Sequence, residues 1–268
     1  MTIGFRKLAR MVPHGLCVGL DPILDRIHPS LRSSDEGETI TRFLEAIIDA
    51  TRPFAAAYKV NTAFFEQYGL SGIRALYAVR EHIADSFCII DAKRGDIANT
   101  SSAYARALFD DLHADAVTVA PYMGSDSVEP FLAYEGKLVY VLGLTSNPGS
   151  ADFQRLDIHG RPLYQHVMHT ALGWKGAAAR GFVVGATHPA ELEDLRTTFP
   201  EIPFLIPGIG SQGGDTDTIA RANGNGPALF NSSRGILYAG DGDDFAQKAA
   251  DVARRVSSLT RRDTRRQS

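Results

Sequence analysis

Residues 87–97 read FCIIDAKRGDI, an apolar run at 87–90 that passes directly into Asp91-Ala92-Lys93-Arg94-Gly95-Asp96-Ile97. A short Phe- and Ile-rich run without polar alternation has the pattern of a strand buried on both faces. The stretch before it, residues 70–83, carries Ile73, Leu76, Tyr77 and Val79 at helical spacing. Seven more apolar runs follow the same pattern, at 16–20, 55–60, 116–120, 138–144, 182–184, 204–206 and 228–230. Between the first two, Ile40, Phe43, Leu44, Ile47 and Ile48 form a stripe at i, i+3, i+4, i+7 and i+8, which predicts an amphipathic helix.

A strand followed by a helix, repeated at about thirty residues per unit, predicts parallel strands joined by right-handed crossovers. Eight such units predict a single-domain α/β protein, a (β/α)8 TIM barrel, for which ~250 residues is typical. A doubly wound open sheet is the competing arrangement. The count of eight runs and the lack of any composition break favour the closed barrel over residues 1–253. Residues 254–268 hold six arginines and one aspartate and are expected to form a frayed tail.

Composition narrows the function classes. The chain has 268 residues, 44% hydrophobic and 22% charged, as in a soluble globular enzyme. A net charge of −3 argues against a general nucleic-acid partner. Arg6, Lys7 and Arg10 are followed by no apolar leader, and no run is long enough to cross a bilayer, so a cytoplasmic location without membrane attachment is expected. Cys17 and Cys88 lie in or beside apolar runs and read as buried thiols.

A barrel keeps its chemistry where strands end and loops begin, at the C-terminal face. The strand ends here carry Asp21, Lys59, Asn61, Asp91, Lys93, Pro121, Thr145, Ser146, Pro207, Ser233 and Arg234. Side chains alternate along a strand, so Asp91 and Lys93 share a face, as do Lys59 and Asn61. A lone Asp-x-Lys reads as a structural ion pair. A second lysine converging on the same mouth points to chemistry, because buried charge is costly unless it is paired. Asp96 lies beyond the strand, near the next helix start, where a carboxylate suits the helix dipole.

Residues 207–215, PGIGSQGGD, contain a G-x-G-x-x-G after a strand. A dinucleotide site would need an acidic residue at the end of the next strand. That strand ends instead in Asn231-Ser232-Ser233-Arg234-Gly235, which suits a phosphate. Loops after strands seven and eight of barrels often grip one. His166-x-x-His169 falls in a helix away from the rim and reads as surface histidines, not a metal site. Residues 147–162, with two prolines and two glycines, are either a mobile cover over the mouth or an ordinary insertion.

Together these residues resemble the orotidine 5′-phosphate decarboxylase family, in its longer bacterial form, over about 15–235. The resemblance rests on Asp91-x-Lys93-x-x-Asp96-Ile97-x-x-Thr100, on Lys59 and Asn61, on Gly19-Leu20-Asp21-Pro22, and on the 207–212 loop. It implies cofactor-free decarboxylation of orotidine 5′-monophosphate to uridine 5′-monophosphate, the last step of de novo synthesis of that nucleotide. Lys93 would protonate C6, and Asp91 would face the departing carboxylate. Lys59 and Asp21 would hold ribose hydroxyls, while Asn61, Ile97 and Pro207 would line the site. Thr145 or Ser146 would contact the base, and Gln212, Gly213, Ser233 and Arg234 the phosphate. Ser233 stands where many relatives have glycine. Asp96 and Thr100 would serve the neighbouring subunit's site, which makes a homodimer the active species.

Three rivals remain at this point. One is a related magnesium-dependent keto-sugar-phosphate decarboxylase or a hexulose-phosphate synthase, which needs an acidic metal ligand where this chain has Lys59 and Asn61. Another is a Schiff-base aldolase using Lys59 or Lys93. The last is a nucleotide-binding protein without catalysis.

Overall fold

The computed structural model of the chain describes residues 15–185, 189–209 and 216–261. Eight parallel strands close into one barrel: β1 (Gly15–Leu20), β2 (Ala57–Asn61), β3 (Cys88–Arg94), β4 (Ala116–Val119), β5 (Leu138–Leu144), β6 (Ala179–Val184), β7 (Phe204–Pro207) and β8 (Ala228–Ser232). Each overlaps one of the eight apolar runs. The chain goes round in sequence order, and β8 pairs with β1 through Val18 opposite Ser232. Closure excludes the open doubly wound sheet.

The absence of polar alternation follows from two cores. One face of each strand packs inward, where Cys17, Ala57, Ile89, Ala116, Leu138, Tyr140, Val183, Leu205 and Leu229 form a plug. The other face packs against helices, as with Leu16, Val18, Cys88 and Ile90. Both cysteines are buried, as expected, and burial pushes the Cys88 thiol up to about 12.

Helix α1 (Glu36–Thr51) buries the whole stripe Ile40, Phe43, Leu44, Ile47 and Ile48. Asp35 caps it by accepting a hydrogen bond from the Glu38 amide at 2.9 Å. Helix α2 (Gly69–Ile83) matches the extent expected for 70–83, but of the expected stripe only Leu76 and Val79 are buried, Ile73 being half-buried and Tyr77 exposed. Its buried stripe is Gly72, Ala75, Leu76, Val79 and Ile83, and Tyr77, one position on from Leu76, turns outward to donate to Asp111.

Six further helices complete the ring: α3 (Ala98–Arg106), α4 (Ser125–Leu132), α5 (Leu163–Leu172), α6 (Pro189–Thr198), α7 (Thr216–Asn223) and α8 (Phe245–Thr260). The last corrects the expected domain boundary at 253. Ala249, Ala253, Val256, Ser257 and Thr260 form one buried stripe, so residues 254–260 are helix, not frayed tail. Arg254 lies on the outer side of that helix, over the Phe54 ring at 5.1 Å, and the charge of this segment masked its periodicity. Residues 262–268 lie outside the described residues. Among the described residues no helix is long and apolar enough to cross a membrane.

Candidate active site

Strand alternation carries the inward face from plug to mouth. Two residues above the plug's Cys17, Ala57, Ile89, Ala116 and Leu229 come Gly19, Lys59, Asp91, Thr118 and Asn231. One more step gives Asp21, Asn61 and Ser233. The inward face therefore changes from apolar to charged within one layer, at the strands' C-terminal ends.

Asp91 is the hub of that layer and is buried. Its Oδ2 accepts from Lys59 Nζ at 3.0 Å. Its Oδ1 accepts from Lys93 Nζ at 2.7 Å and from Thr118 Oγ1 at 2.7 Å. Lys59 Nζ also lies 3.6 Å from Asp21 Oδ1, so one ammonium bridges the carboxylate just past β1 and the one on β3. Burial alone would raise the Asp91 pKa, but the charges of Lys59 and Lys93 and the bonds from Lys93 and Thr118 hold it well below the usual carboxylate range. Burial alone would likewise lower the Lys59 pKa, and Asp21 and Asp91 reverse that, so it stays charged.

Lys93 reaches Asp91 as expected, though not through simple strand alternation. Its φ is +47°, in the left-handed region, and the β3–β4 register shifts between Ile90 and Arg94. Such a backbone costs about 1–2 kcal/mol in a residue with a Cβ. The Thr118 hydroxyl holds it by accepting the Lys93 amide at 3.0 Å while donating to Asp91. Lys93 is the most open member of the group, with a side chain 48% exposed. Arg94 points the other way and pairs with Glu66.

The mouth opens into a cavity of about 250 Å3 lined by Asp21, Lys59, Asn61, Asp91, Ser146, Pro207, Ser233 and Arg234 among the predicted residues. Ile23, Phe64, Gly208 and Asn231 also line it. Asn231 and Thr118 carry signals visible only in hindsight, as polar residues at the end of one apolar run and inside another. Phe64 follows the second strand and carries no sequence signal.

Close packing joins the two ends of the barrel's seam. A Cβ on Gly19 would stand 1.9 Å from Ser233 Oγ and 3.0 Å from Asn231 Oδ1, so glycine is required where β1 meets β8. Arg234 is exposed at the rim and has no carboxylate partner among the described residues. Gln212 and Gly213 lie outside the described residues.

The predicted pair Thr145 and Ser146 separates here. Ser146 lines the cavity, whereas Thr145 is bonded to Asn147 and Gln154. Residues 147–162 are built as an anchored wall. They carry a short helix (Ser150–Phe153) and a hairpin (Asp157–Ile158 with Arg161–Pro162). Arg155 pairs with Glu191 of α6 through both guanidinium nitrogens, one at 3.0 Å.

Lys93 is bonded to the lining residue Asp91 but does not itself line this chain's cavity, and neither do Asp96, Ile97 and Thr100. Asp96 Oδ1 accepts from the Ile97 amide at 2.7 Å, just ahead of α3, and Ile97 and Thr100 are exposed beyond it. Tyr122 and Met123, exposed at 90% and 48%, stand on the next strand's loop, so apolar surface surrounds this rim. His166 bonds the Ile158 carbonyl and the His169 ring packs on Phe199, away from the mouth.

Comparison with known proteins agrees with the geometry. Residues 14–249 match the model of the orotidine 5′-phosphate decarboxylase / HUMPS family. The chain is 48% identical over 247 residues to the orotidine 5′-phosphate decarboxylase of Flavobacterium johnsoniae, covering 90% of each chain. It is 45% identical over 250 residues to that of Leptospira interrogans, covering 91% of this chain and 90% of the relative. Among solved structures, the OMP decarboxylase of Leishmania donovani superposes with a TM-score of 0.80 at 37% identity, covering 95% of this chain and 98% of the other. The chain belongs to the orotidine 5′-phosphate decarboxylase / HUMPS family.

Proposed function

We infer that this protein decarboxylates orotidine 5′-monophosphate to uridine 5′-monophosphate and CO2, closing de novo synthesis of that nucleotide in the cytoplasm. The observation that carries the reading is the Lys59–Asp91–Lys93 chain, with Asp21 beyond Lys59: Asp21, Lys59 and Asp91 line the same cavity as Arg234, and Lys93 is bonded to Asp91 beside it.

Loss of CO2 from C6 leaves a carbanion in an sp2 orbital that the ring does not delocalise. Fixed charge must stabilise it. Lys93 is the open ammonium of the group and delivers its proton to C6 as the bond to CO2 breaks, the electron pair of that bond accepting the proton. Asp91 remains a carboxylate through the reaction, since its neighbours hold its pKa low. It faces the departing carboxylate and fixes Lys93. Lys59 and Asp21 take the ribose hydroxyls, with Asp21 Oδ1 buried and without a hydrogen bond to any described residue. Arg234, the Pro207 loop and Ser233 take the phosphate. Gln212 and Gly213 belong to the same phosphate site by resemblance. Binding at that remote end offsets the cost of setting a substrate carboxylate near Asp91.

The active species is a homodimer with shared sites. Asp96 and Thr100 stand outside this chain's own cavity, on a rim with exposed Ile97, Tyr122 and Met123, which is the arrangement a partner's site would need. The metal-dependent sugar-phosphate reading of the family is disfavoured by Lys59, whose ammonium fills the gap between Asp21 and Asp91 that a cation would take.

The test is the ultraviolet absorbance change of orotidine 5′-monophosphate on adding EDTA-treated protein. Undiminished turnover is expected. Turnover of a hexulose phosphate instead, or turnover only after magnesium is restored, would overturn the reading.

A further inference from the structure

The wall beside the cavity contains a hydrogen-bond chain that runs from Gln154 through Thr145 to Asn147. Gln154 Oε1 lies 2.8 Å from the Thr145 amide, which can only donate, so the amide orientation of Gln154 follows. Its Nε2 therefore donates to Thr145 Oγ1, also at 2.8 Å. The Thr145 hydroxyl then has one proton left to give, and Asn147 Oδ1 takes it at 2.6 Å. The Thr145 proton is thereby committed within the wall. Ser146, the next residue, lines the cavity and has no side-chain hydrogen bond to any described residue.

Ser146 is held from both sides. A Cβ on Gly185 would lie 2.7 Å from the Ser146 amide nitrogen, so the β6 end packs directly behind it. Gln154 itself is fastened: its carbonyl accepts the Tyr164 amide at 2.9 Å, and its neighbour Arg155 bonds Glu191 of α6. Two bonds from one side chain to one residue remove most rotational freedom of the β5 exit.

We propose that Gln154 is a positioning residue that holds the Thr145–Ser146 turn so that the Ser146 hydroxyl meets the pyrimidine of the substrate. This rests on the decarboxylase reading above. Gln154 acts through Ser146 and touches no substrate atom itself, so its effect is confined to the base end of the ligand.

The experiment compares two probes, uridine 5′-monophosphate and ribose 5-phosphate, by calorimetric titration of wild type, Gln154→Ala, Ser146→Ala and the double variant. Loss of a net hydrogen bond of about 1–1.5 kcal/mol predicts roughly tenfold weaker binding of the nucleotide to Gln154→Ala. Ribose 5-phosphate binding stays within about twofold of wild type. In the Ser146→Ala background the Gln154 change adds less than about twofold, because the group it positions is already gone. Should Gln154→Ala fail to fold, Thr145→Val removes the relayed hydroxyl, keeps the amide bond, and carries the same expectation. Equal weakening of both probes, or a full additional loss in the Ser146→Ala background, would overturn the proposal. Failure of wild type to turn over orotidine 5′-monophosphate would instead overturn the underlying reading.

Discussion

Replacing Asp91 by Asn keeps the shape of the hub and removes its charge. Three donors converge on the native carboxylate: Lys59 at 3.0 Å, Lys93 at 2.7 Å and the Thr118 hydroxyl at 2.7 Å. An amide offers one acceptor oxygen and places an NH2 against at least one of the ammonium groups. Lys59, buried with its side chain only 5% exposed, keeps Asp21 at 3.6 Å as its remaining counter-charge. Breaking a buried pair in this way costs about 3–5 kcal/mol. For a domain of this size that corresponds to a fall in Tm of about 6–20 °C.

The pH dependence follows from the same pairing. In wild type the Asp91 pKa is depressed in the folded state, so its stabilisation is present above the unfolded carboxyl pKa and is lost only as pH falls through the lower folded value. The Lys59 pKa is raised, so its stabilisation is present below the unfolded lysine pKa and is lost as pH rises through the higher folded value. The site thus contributes evenly from about pH 4 to about pH 10. In the variant the burial penalty on Lys59 is opposed by Asp21 alone, so deprotonation relieves it. The gap to wild type should narrow as pH rises from 7 towards 10. Thermal melts and urea titrations at pH 6, 7, 8 and 9.5 measure both quantities. A Tm within about 2 °C of wild type at pH 7 would show that Asp91 is not the partner of a desolvated ammonium.

Other substitutions probe separate parts of the site. Lys93→Ala should remove nearly all turnover of orotidine 5′-monophosphate while uridine 5′-monophosphate still binds, and near-normal turnover would refute proton delivery by Lys93. Mixing inactive Lys93→Ala and Asp96→Ala subunits should restore part of the activity, since one mixed site is whole; no recovery after demonstrated subunit exchange removes the shared-site assignment. Gly19→Ala drives a Cβ into Ser233 and Asn231 and should cost about 1–3 kcal/mol in stability, read by urea midpoint. Thr118→Val releases both the Lys93 amide and one Asp91 contact, so turnover should fall while the fold, followed by circular dichroism, persists. Unchanged turnover there would show that the left-handed Lys93 needs no support.

Much of the fold was legible because its signals are local. The eight apolar runs sit on the eight strands, and the Ile40–Ile48 stripe is wholly buried in α1. Two misreadings have the same cause. At Tyr77 an aromatic one position off the stripe was counted with it, and in residues 254–260 arginines on the outer face hid the inward Val256, Ser257 and Thr260, which continue a stripe begun by Ala249 and Ala253. Of the site, Asp21, Lys59, Asn61, Asp91 and Arg234 were found because charge or amide at a strand end is visible in one dimension. Phe64 was not, because an aromatic beside a strand reads as core.

The sequence by itself determined which residues stand at the ends of strands, since period and composition act over a few neighbouring positions. Only closure of the barrel decided their partners. It brought β8 beside β1, so that Asn231 and Ser233 pack on Gly19 across more than two hundred residues of chain. Through the register of β1, β2 and β3 it set Lys59 between Asp21 and Asp91, and it put the Thr118 hydroxyl under a left-handed Lys93. Register and closure come from hydrogen bonds between strands far apart in sequence, and no local pattern carries that information.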